Sequence, residues 1–353
     1  MSLVYGVNEL PAVRSARPLA RVVAIGGGSG LPVVLAGLRR SLPLDCRITA
    51  VVTAADDGGS SGALRAQYDV LPPGDIRNCL LALSRVAPEV SAALQYRFDE
   101  LSGPGHPVGN LLLAALEMVT PDEVTAIRLA AGLLRVEDVI LPATTTRLQL
   151  VAELADGREV RGESAIPRSA APIARLRVDP PGAQAEHAVL EALERADAIV
   201  LGPGSLYTSV LAVLVVPGVL EAVLATPATR IFVCNLMTQP GETDGYGVAA
   251  HVTALAAHGL PLEALDYIVV NTAPIQAKAL ARHSVDGAAA MPVAADFASG
   301  GRPRVVSTDL LDDSLMVLHA AEKLGPLLAR LAVGRPEDRT DGARPGVALT
   351  RGA

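Results

Sequence analysis

One short passage constrains this chain more than any other. Arg21-Val-Val-Ala-Ile25 reads as a buried strand, runs into Gly26-Gly27-Gly28-Ser29-Gly30, and is followed by apolar residues at helical spacing from Leu31 to Leu38. Strand, glycine turn and helix in that order make the first part of a parallel crossover unit, and a parallel sheet needs helices on its faces. The turn also carries chemistry. Glycines let backbone N–H groups approach a phosphate, and the helix that follows presents its positive end there. The motif is not the dinucleotide fingerprint, because Leu31 stands where the third glycine belongs, counting from Gly26 and Gly28. Phosphate binding and a plain tight turn both remain open.

Alternating patterns continue down the chain. Arg47 to Thr53 reads as a strand, and helical periodicity covers Asp75 to Val86, His106 to Val119 and Pro121 to Leu134. Residues 142–182 differ: Leu148 to Leu154, an Asp156-Gly157 turn and Arg158 to Glu163 predict a β-hairpin, and Ile173 to Val178 a third strand. We read this stretch as an inserted β-rich subdomain, a candidate flap. A helix at Ala185 to Arg195, strands at Ala198 to Leu201, Arg230 to Asn235 and Tyr267 to Asn271, and a closing helix from Ser314 to Leu331 follow. The fold class expected is therefore α/β: a Rossmann-like, mostly parallel sheet with helices on both faces, spanning residues 21–333. Residues 1–20 and 334–353, rich in Arg, Gly, Pro and Asp, read as loose tails.

Composition removes several functions. The 353 residues carry a net charge of -7, so the basic footprint of a nucleic-acid binder is missing. Aromatics are 3% with no Trp, which also removes most stacking platforms. The lysines are Lys278 and Lys323, neither in a Gly-Lys-Ser/Thr run, so Walker-type nucleotide chemistry is excluded. Cys46, Cys79 and Cys234 are scattered and odd in number, which suits buried thiols in a reducing compartment rather than disulfides or zinc. The first 20 residues lack an apolar secretory core, and Val210 to Leu224 is broken by Pro217, Gly218 and Glu221. The expectation is a cytoplasmic protein without nucleic-acid binding or membrane insertion, whose large apolar helices leave room for a homodimer.

In a doubly wound sheet, ligands bind outside the carboxyl ends of the strands, so the loops leaving those ends are read together. After the second strand come Asp56 and Asp57, then Ser60 and Ser61. Two adjacent carboxylates are costly unless a cation or hydrogen-bond donors neutralise them, so Mg²⁺, ribose hydroxyls or backbone N–H groups all suit this loop, as does a solvated turn. In Pro72-Pro-Gly-Asp75-Ile-Arg77-Asn78, Asp75 is placed as a helix N-cap, and Arg77 and Asn78 in the first turn facing an anion. His106 and Asn110 open the next helix. The run Leu201 to Ser209, with Gly204 and Ser205, makes a second anion nest, and two nests suit a nucleotide diphosphate. Asn235, Thr238 and Gln239 add amides and a hydroxyl but no activated nucleophile. Neither Gly-x-Ser-x-Gly nor His-Glu-x-x-His occurs, so hydrolase triads and zincin chemistry lack support.

Taken in order, these strings resemble the gluconeogenesis factor family, within the CofD-like superfamily of 2-phospholactate transferases. The matching runs are Ala24 to Leu31, Val52 to Gly62, Pro72 to Leu80, Gly105-His106 with Gly109 to Leu113, Leu201 to Ser209 and Cys234 to Thr243. The resemblance implies a nucleotide-binding cleft, with UDP-N-acetylglucosamine as the ligand type and a regulatory role linking carbon metabolism to cell-wall synthesis and cell shape. It implies an unidentified regulatory protein partner and no established reaction. By the same resemblance, Tyr267 and Arg304 are expected to contact the uridine sugar. The transferase branch holds Mg²⁺ and donor phosphates with paired aspartates, which Asp56 and Asp57 match, so a Mg²⁺-dependent transferase is the alternative. Ala212-Val213 and Ala250 depart from the family pattern, the second leaving His251 without its expected neighbour.

Overall fold

Val22, Val23, Ala24 and Ile25 are all shielded from solvent, as a strand without polar alternation must be when both faces are covered. Their side chains divide between two cores: Val23 and Ile25 join one apolar cluster, Val22 and Ala24 the other. In the computed structural model, which describes residues 4–5, 20–98, 105–169, 171–283, 287–292, 302–314 and 316–334, this strand lies inside an eight-stranded parallel sheet. The sheet comprises β1 (Val4–Tyr5), β2 (Arg21–Gly26), β3 (Arg47–Val52), β4 (Val139–Pro142), β8 (Ala198–Leu201), β9 (Thr229–Val233), β10 (Tyr267–Asn271) and β11 (Arg304–Thr308). Between β4 and β8 the chain forms β5 (Gln149–Leu154), β6 (Glu159–Arg161) and β7 (Ile173–Asp179), a separate antiparallel sheet in the order β6-β5-β7.

The main sheet runs β1-β11-β10-β9-β8-β2-β3-β4. From β2 the chain winds outward through β3 and β4, and from β8 it winds the opposite way through β9, β10 and β11. The direction reverses between β2 and β8, so the crevice outside the carboxyl ends of these two strands is the topological switch point.

One face is covered by α1 (Gly30–Ser41), α3 (Pro73–Leu83), α6 (Glu123–Leu133) and α12 (Ala321–Val333), which fill the core with residues such as Leu35, Leu80, Ile127 and Leu328. α2 (Gly59–Tyr68), α4 (Pro88–Gln95) and α5 (Val108–Val119) pack at its margin. The other face is covered by α7 (His187–Glu194), by a π-helical segment Leu206–Leu211 that continues into α8 (Ala212–Leu214), and by α9 (Val219–Ala225) and α10 (Val248–Ala257). The inserted sheet shares that second core through Leu150, Leu154, Leu176 and Val178. It is thus packed as a roof over the β8 side. α11 (Ala277–His283) follows β10.

Several elements differ from expectation. α2 starts at Gly59, in a run that looks too polar for a helix; it buries Ser60, Ser61 and Leu64 and little else. α4 buries only Leu94 and β4 is four residues long, so neither offers enough length or pattern for periodicity to reveal it. α12 begins at Ala321 rather than Ser314, because Asp312 Oδ1 accepts from Ser314 N (2.7 Å) and Ser314 Oγ from Met316 N (3.2 Å), turning the backbone away from a helix. Within the stretch read as an N-terminal tail, Val4–Tyr5 pairs with β11 as an edge strand. Residues 335–353 lie outside the described residues. Among the described residues no single helix is long and apolar enough to cross a membrane; the most apolar stretch is two pieces, Leu206–Leu214 and Val219–Ala225, bent by 75°.

Candidate functional site

The loops after β2 and β8 meet at the switch point at van der Waals range. A Cβ on Gly30 would lie 2.2 Å from the Pro203 carbonyl oxygen, so only glycine lets the two turns close on each other. The Gly28 N–H donates to Asp75 Oδ2 at 2.8 Å. Asp75 is therefore not the N-cap of α3, which is Pro72; it sits in the helix's first turn and reaches across to the glycine loop. Ser29 makes no side-chain cap on α1, which leaves that helix N-terminus uncapped by protein side chains.

The second nest is different. Tyr207 N and Thr208 N both donate to Glu242 Oε2 at 3.3 Å, and Thr208 Oγ1 donates to Glu242 Oε1 at 3.1 Å. Gly204 N donates to Asn235 Oδ1 (3.2 Å), and Leu206 N to Gln239 Oε1 (3.3 Å), whose Nε2 donates to Ser205 Oγ (2.5 Å). The turn expected to hold a phosphate is thus filled by the chain's own carboxylate and amides. Gly204, Ser205, Asn235 and Gln239 are brought together, as a braced wall. Thr238 turns away, exchanging hydrogen bonds with Ala289 (Ala289 N to Oγ1, 2.9 Å). Burial raises the Glu242 pKa, against the pull of these donors.

Asp56 and Asp57 separate. Asp56 Oδ1 accepts from Gly58 N at 2.9 Å, the short-range turn weighed above. Asp57 points at the inserted sheet, where Oδ2 accepts from Glu163 N (3.1 Å) and Oδ1 from Ser164 N (2.8 Å). Both Asp57 oxygens thus hold backbone donors while Asp56 serves its own turn, and among the described residues no group of three or more His, Cys, Asp or Glu is arranged to hold an ion. The sequence reading missed Glu163, which Asp57 draws into the cleft. Its pKa is raised to about 7, first by burial and then by Asp56, Asp57, Glu242 and Asp75. Asp75 is raised to about 6 by burial, opposed by the Gly28 N–H. Two cleft carboxylates thus titrate well above the ordinary carboxylate range, which marks the cleft as a functional candidate.

On the β3 side, Ser60 Oγ lies 2.8 Å from His106 Nδ1 and accepts from Asn110 Nδ2 at 3.0 Å. Arg77 donates to Asn110 Oδ1 (2.6 Å) and Asn78 Oδ1 (2.8 Å). Ser61 Oγ accepts from Gly74 N at 3.1 Å and ties α2 to α3. Four predicted residues and His106 thus form one connected chain. Arg77 stands in the second turn of α3, not the first, because the helix begins at Pro73.

Tyr267 and Arg304 are paired across β10 and β11, but at the amino ends of those strands. Four residue rises, roughly 13 Å, separate them from the carboxyl edge where the glycine loops lie. At that edge Asn271 Oδ1 accepts from Leu310 N (3.0 Å) and its Nδ2 donates to Ala273 O (2.9 Å), joining the loops after β10 and β11. Between those loops opens a cavity of about 170 Å³ lined by Gln276, Asp309, Asp312, Met316 and Lys323 among others. Lys323 Nζ is anchored there by Asp309 Oδ2 (2.9 Å) and Leu311 O (2.7 Å). No motif announced this cavity; Lys323 was legible as one of two lysines, without a role. His251 is fully buried, its Nδ1 at 2.9 Å from Gly247 O, and burial lowers its pKa.

Comparison with known proteins places these observations. Residues 22–311 match the family described as 2-phospho-L-lactate transferase CofD. The chain is 39% identical over 322 residues to the gluconeogenesis factor of Listeria monocytogenes, covering 90% of this chain and 98% of that one. It is 43% identical over 269 residues to the gluconeogenesis factor of Bacillus subtilis, covering 76% and 84%. A crystal structure of a member of the UPF0052 family from Bacillus halodurans superposes with a TM-score of 0.82 at 38% identity, covering 89% of this chain and all of that one.

Proposed function

We propose, from the premise that this chain belongs to the CofD family and within it to the gluconeogenesis factors, that it is a ligand-binding regulator whose cleft takes a nucleotide sugar of the UDP-N-acetylglucosamine type. The observation that carries this reading is the switch-point crevice, where an uncapped α1 N-terminus faces the β8 turn. The phosphates lie at α1. The uridine or sugar end extends along the carboxyl edge to the cavity between the β10 and β11 loops, three strand spacings or roughly 14 Å away. This path replaces the expected contacts with Tyr267 and Arg304. The protein would act in the cytoplasm, passing ligand occupancy to cell-wall and carbon metabolism through a protein partner.

A phosphoryl-transfer reading has less support, since the second nest is filled by Glu242 rather than open to a donor phosphate. The test is calorimetric titration of UDP-N-acetylglucosamine, UDP-glucose, GDP and NAD with and without Mg²⁺. The reading expects saturable binding of a UDP-sugar without metal, weakened by Lys323→Ala and unchanged by Tyr267→Ala. At 100 times its dissociation constant such a ligand stabilises the fold by about 2.7 kcal/mol, which thermal unfolding will register. Binding of GDP alone, and only with Mg²⁺, would reject the reading in favour of the transferase.

A further inference from the structure

Arg77 is a partly buried cation held by neutral oxygens. Its two terminal nitrogens donate to the amides of Asn110 and Asn78. Its Nε is shut off from solvent without an acceptor. Among the described residues it has no carboxylate within 4.0 Å. Its stem lies flat across the first turn of α5, where a Cβ on Gly109 would meet Arg77 Cδ at 2.8 Å. The side chain is therefore held in place by packing and by two amides, while a guanidinium taken from water calls for an anion.

The surroundings add positive charge. Arg97 is brought beside the start of α5, where it pairs antiparallel with Pro107 and its Nη1 donates to Gly105 O at 2.8 Å; burial followed by repulsion from Arg97 lowers the Arg77 pKa, and Asp75 raises it. His106, next to Gly105, joins through Ser60 and Asn110. Neither α2 nor α5 has a side-chain cap, and Val108 N and Asn110 N of α5 are already taken by the Tyr96 and Pro107 carbonyls, so the charge of this corner comes from side chains.

We propose that Arg77, Arg97 and His106 form an oxyanion subsite for a phosphate or carboxylate group of a small metabolite, distinct from the nucleotide-sugar path. The two are tied to different elements: Asp75 accepts from Gly28 at the switch point, whereas Arg77 is held against α5 by Asn110 and Gly109. The planar guanidinium suits either oxyanion through paired N–H donors. A protein in which one cleft holds a nucleotide sugar and the adjoining corner an anionic metabolite reads two metabolic signals at once.

The test titrates inorganic phosphate and, separately, malonate into the full chain at constant ionic strength, followed by calorimetry and, for phosphate, by ³¹P line broadening. Saturable binding of at least one probe is expected, weakened about tenfold or more in Arg77→Gln and in Arg97→Gln, as loss of a charge-assisted hydrogen bond dictates. Phosphate preference identifies a phosphorylated metabolite and malonate preference a carboxylic acid. Saturating probe is expected to leave the affinity for UDP-N-acetylglucosamine unchanged. Should Arg77→Gln fail to fold, Arg97→Gln, whose side chain is exposed, decides. The proposal is overturned if neither probe binds, if Arg97→Gln binds as wild type does, or if the probe displaces the nucleotide sugar. Because the phosphate titration needs no nucleotide, it stands or falls separately from the nucleotide-sugar reading.

Discussion

Glu242 shows how one side chain can settle the meaning of a motif. The run Leu201 to Ser209 has the composition of an anion nest, and its N–H groups do hold an anion, supplied by the chain itself. Removing it in Glu242→Ala strands two backbone donors and the Thr208 hydroxyl, which predicts a loss of about 2–4 kcal/mol in urea unfolding, with Glu242→Gln recovering part of it. Gly30 is fixed by steric closeness instead. Gly30→Ala forces a Cβ onto the Pro203 carbonyl and is expected to cost about 1–3 kcal/mol and to loosen the switch point; thermal unfolding measures the first and nucleotide-sugar titration the second. Both residues lie in strings visible in the sequence. The sequence distinguishes their roles only in part, because a carboxylate 34 residues beyond Thr208 enters no local pattern.

At the scale of elements, the inserted β sheet changes status between sequence and structure. Its hairpin is legible from alternation and the Asp156-Gly157 turn, and β5 and β7 form where expected, give or take one residue. What the pattern does not convey is that the sheet contributes Leu150, Leu154 and Leu176 to the main core and is tied to the cleft by Asp57. Asp57→Ala is expected to speed amide hydrogen exchange at Glu163 and Ser164 by about tenfold or more while leaving the β2 and β8 amides protected. Equal exchange in the two proteins would show that Asp57 does not latch this element. α2 makes the complementary case: its few buried residues pack Ser60 and Ser61 against other helix ends, so no apolar period marks it.

Taken as a whole, the molecule concentrates carboxylates at the cleft of a chain already at -7. Asp75 and Glu163 have native pKa values of about 6 and 7, above the ordinary carboxylate range near 4. The folded state therefore holds protons that the unfolded chain releases, and the stability from these two groups, fully present below about pH 4, is lost as pH rises through 6 and 7. We expect the melting temperature of the free protein to fall between pH 5.5 and 8, and Glu163→Gln to flatten that slope. Anionic ligands should likewise bind more weakly as the pair ionises. A slope in wild type identical to that of Glu163→Gln would remove Glu163 from this account. Sequence alone determined the parallel sheet, the order of the loops on its carboxyl edge and the family, because strand periodicity and glycine turns act within a few residues of one another. Only the tertiary structure decided which nest is already filled, that Tyr267 and Arg304 stand at the far edge, that Glu163 joins the cleft carboxylates, and that Arg77 is held by Asn110 on α5. Those outcomes depend on contacts between residues tens of positions apart, where strand order and helix packing, not local propensity, set which groups meet.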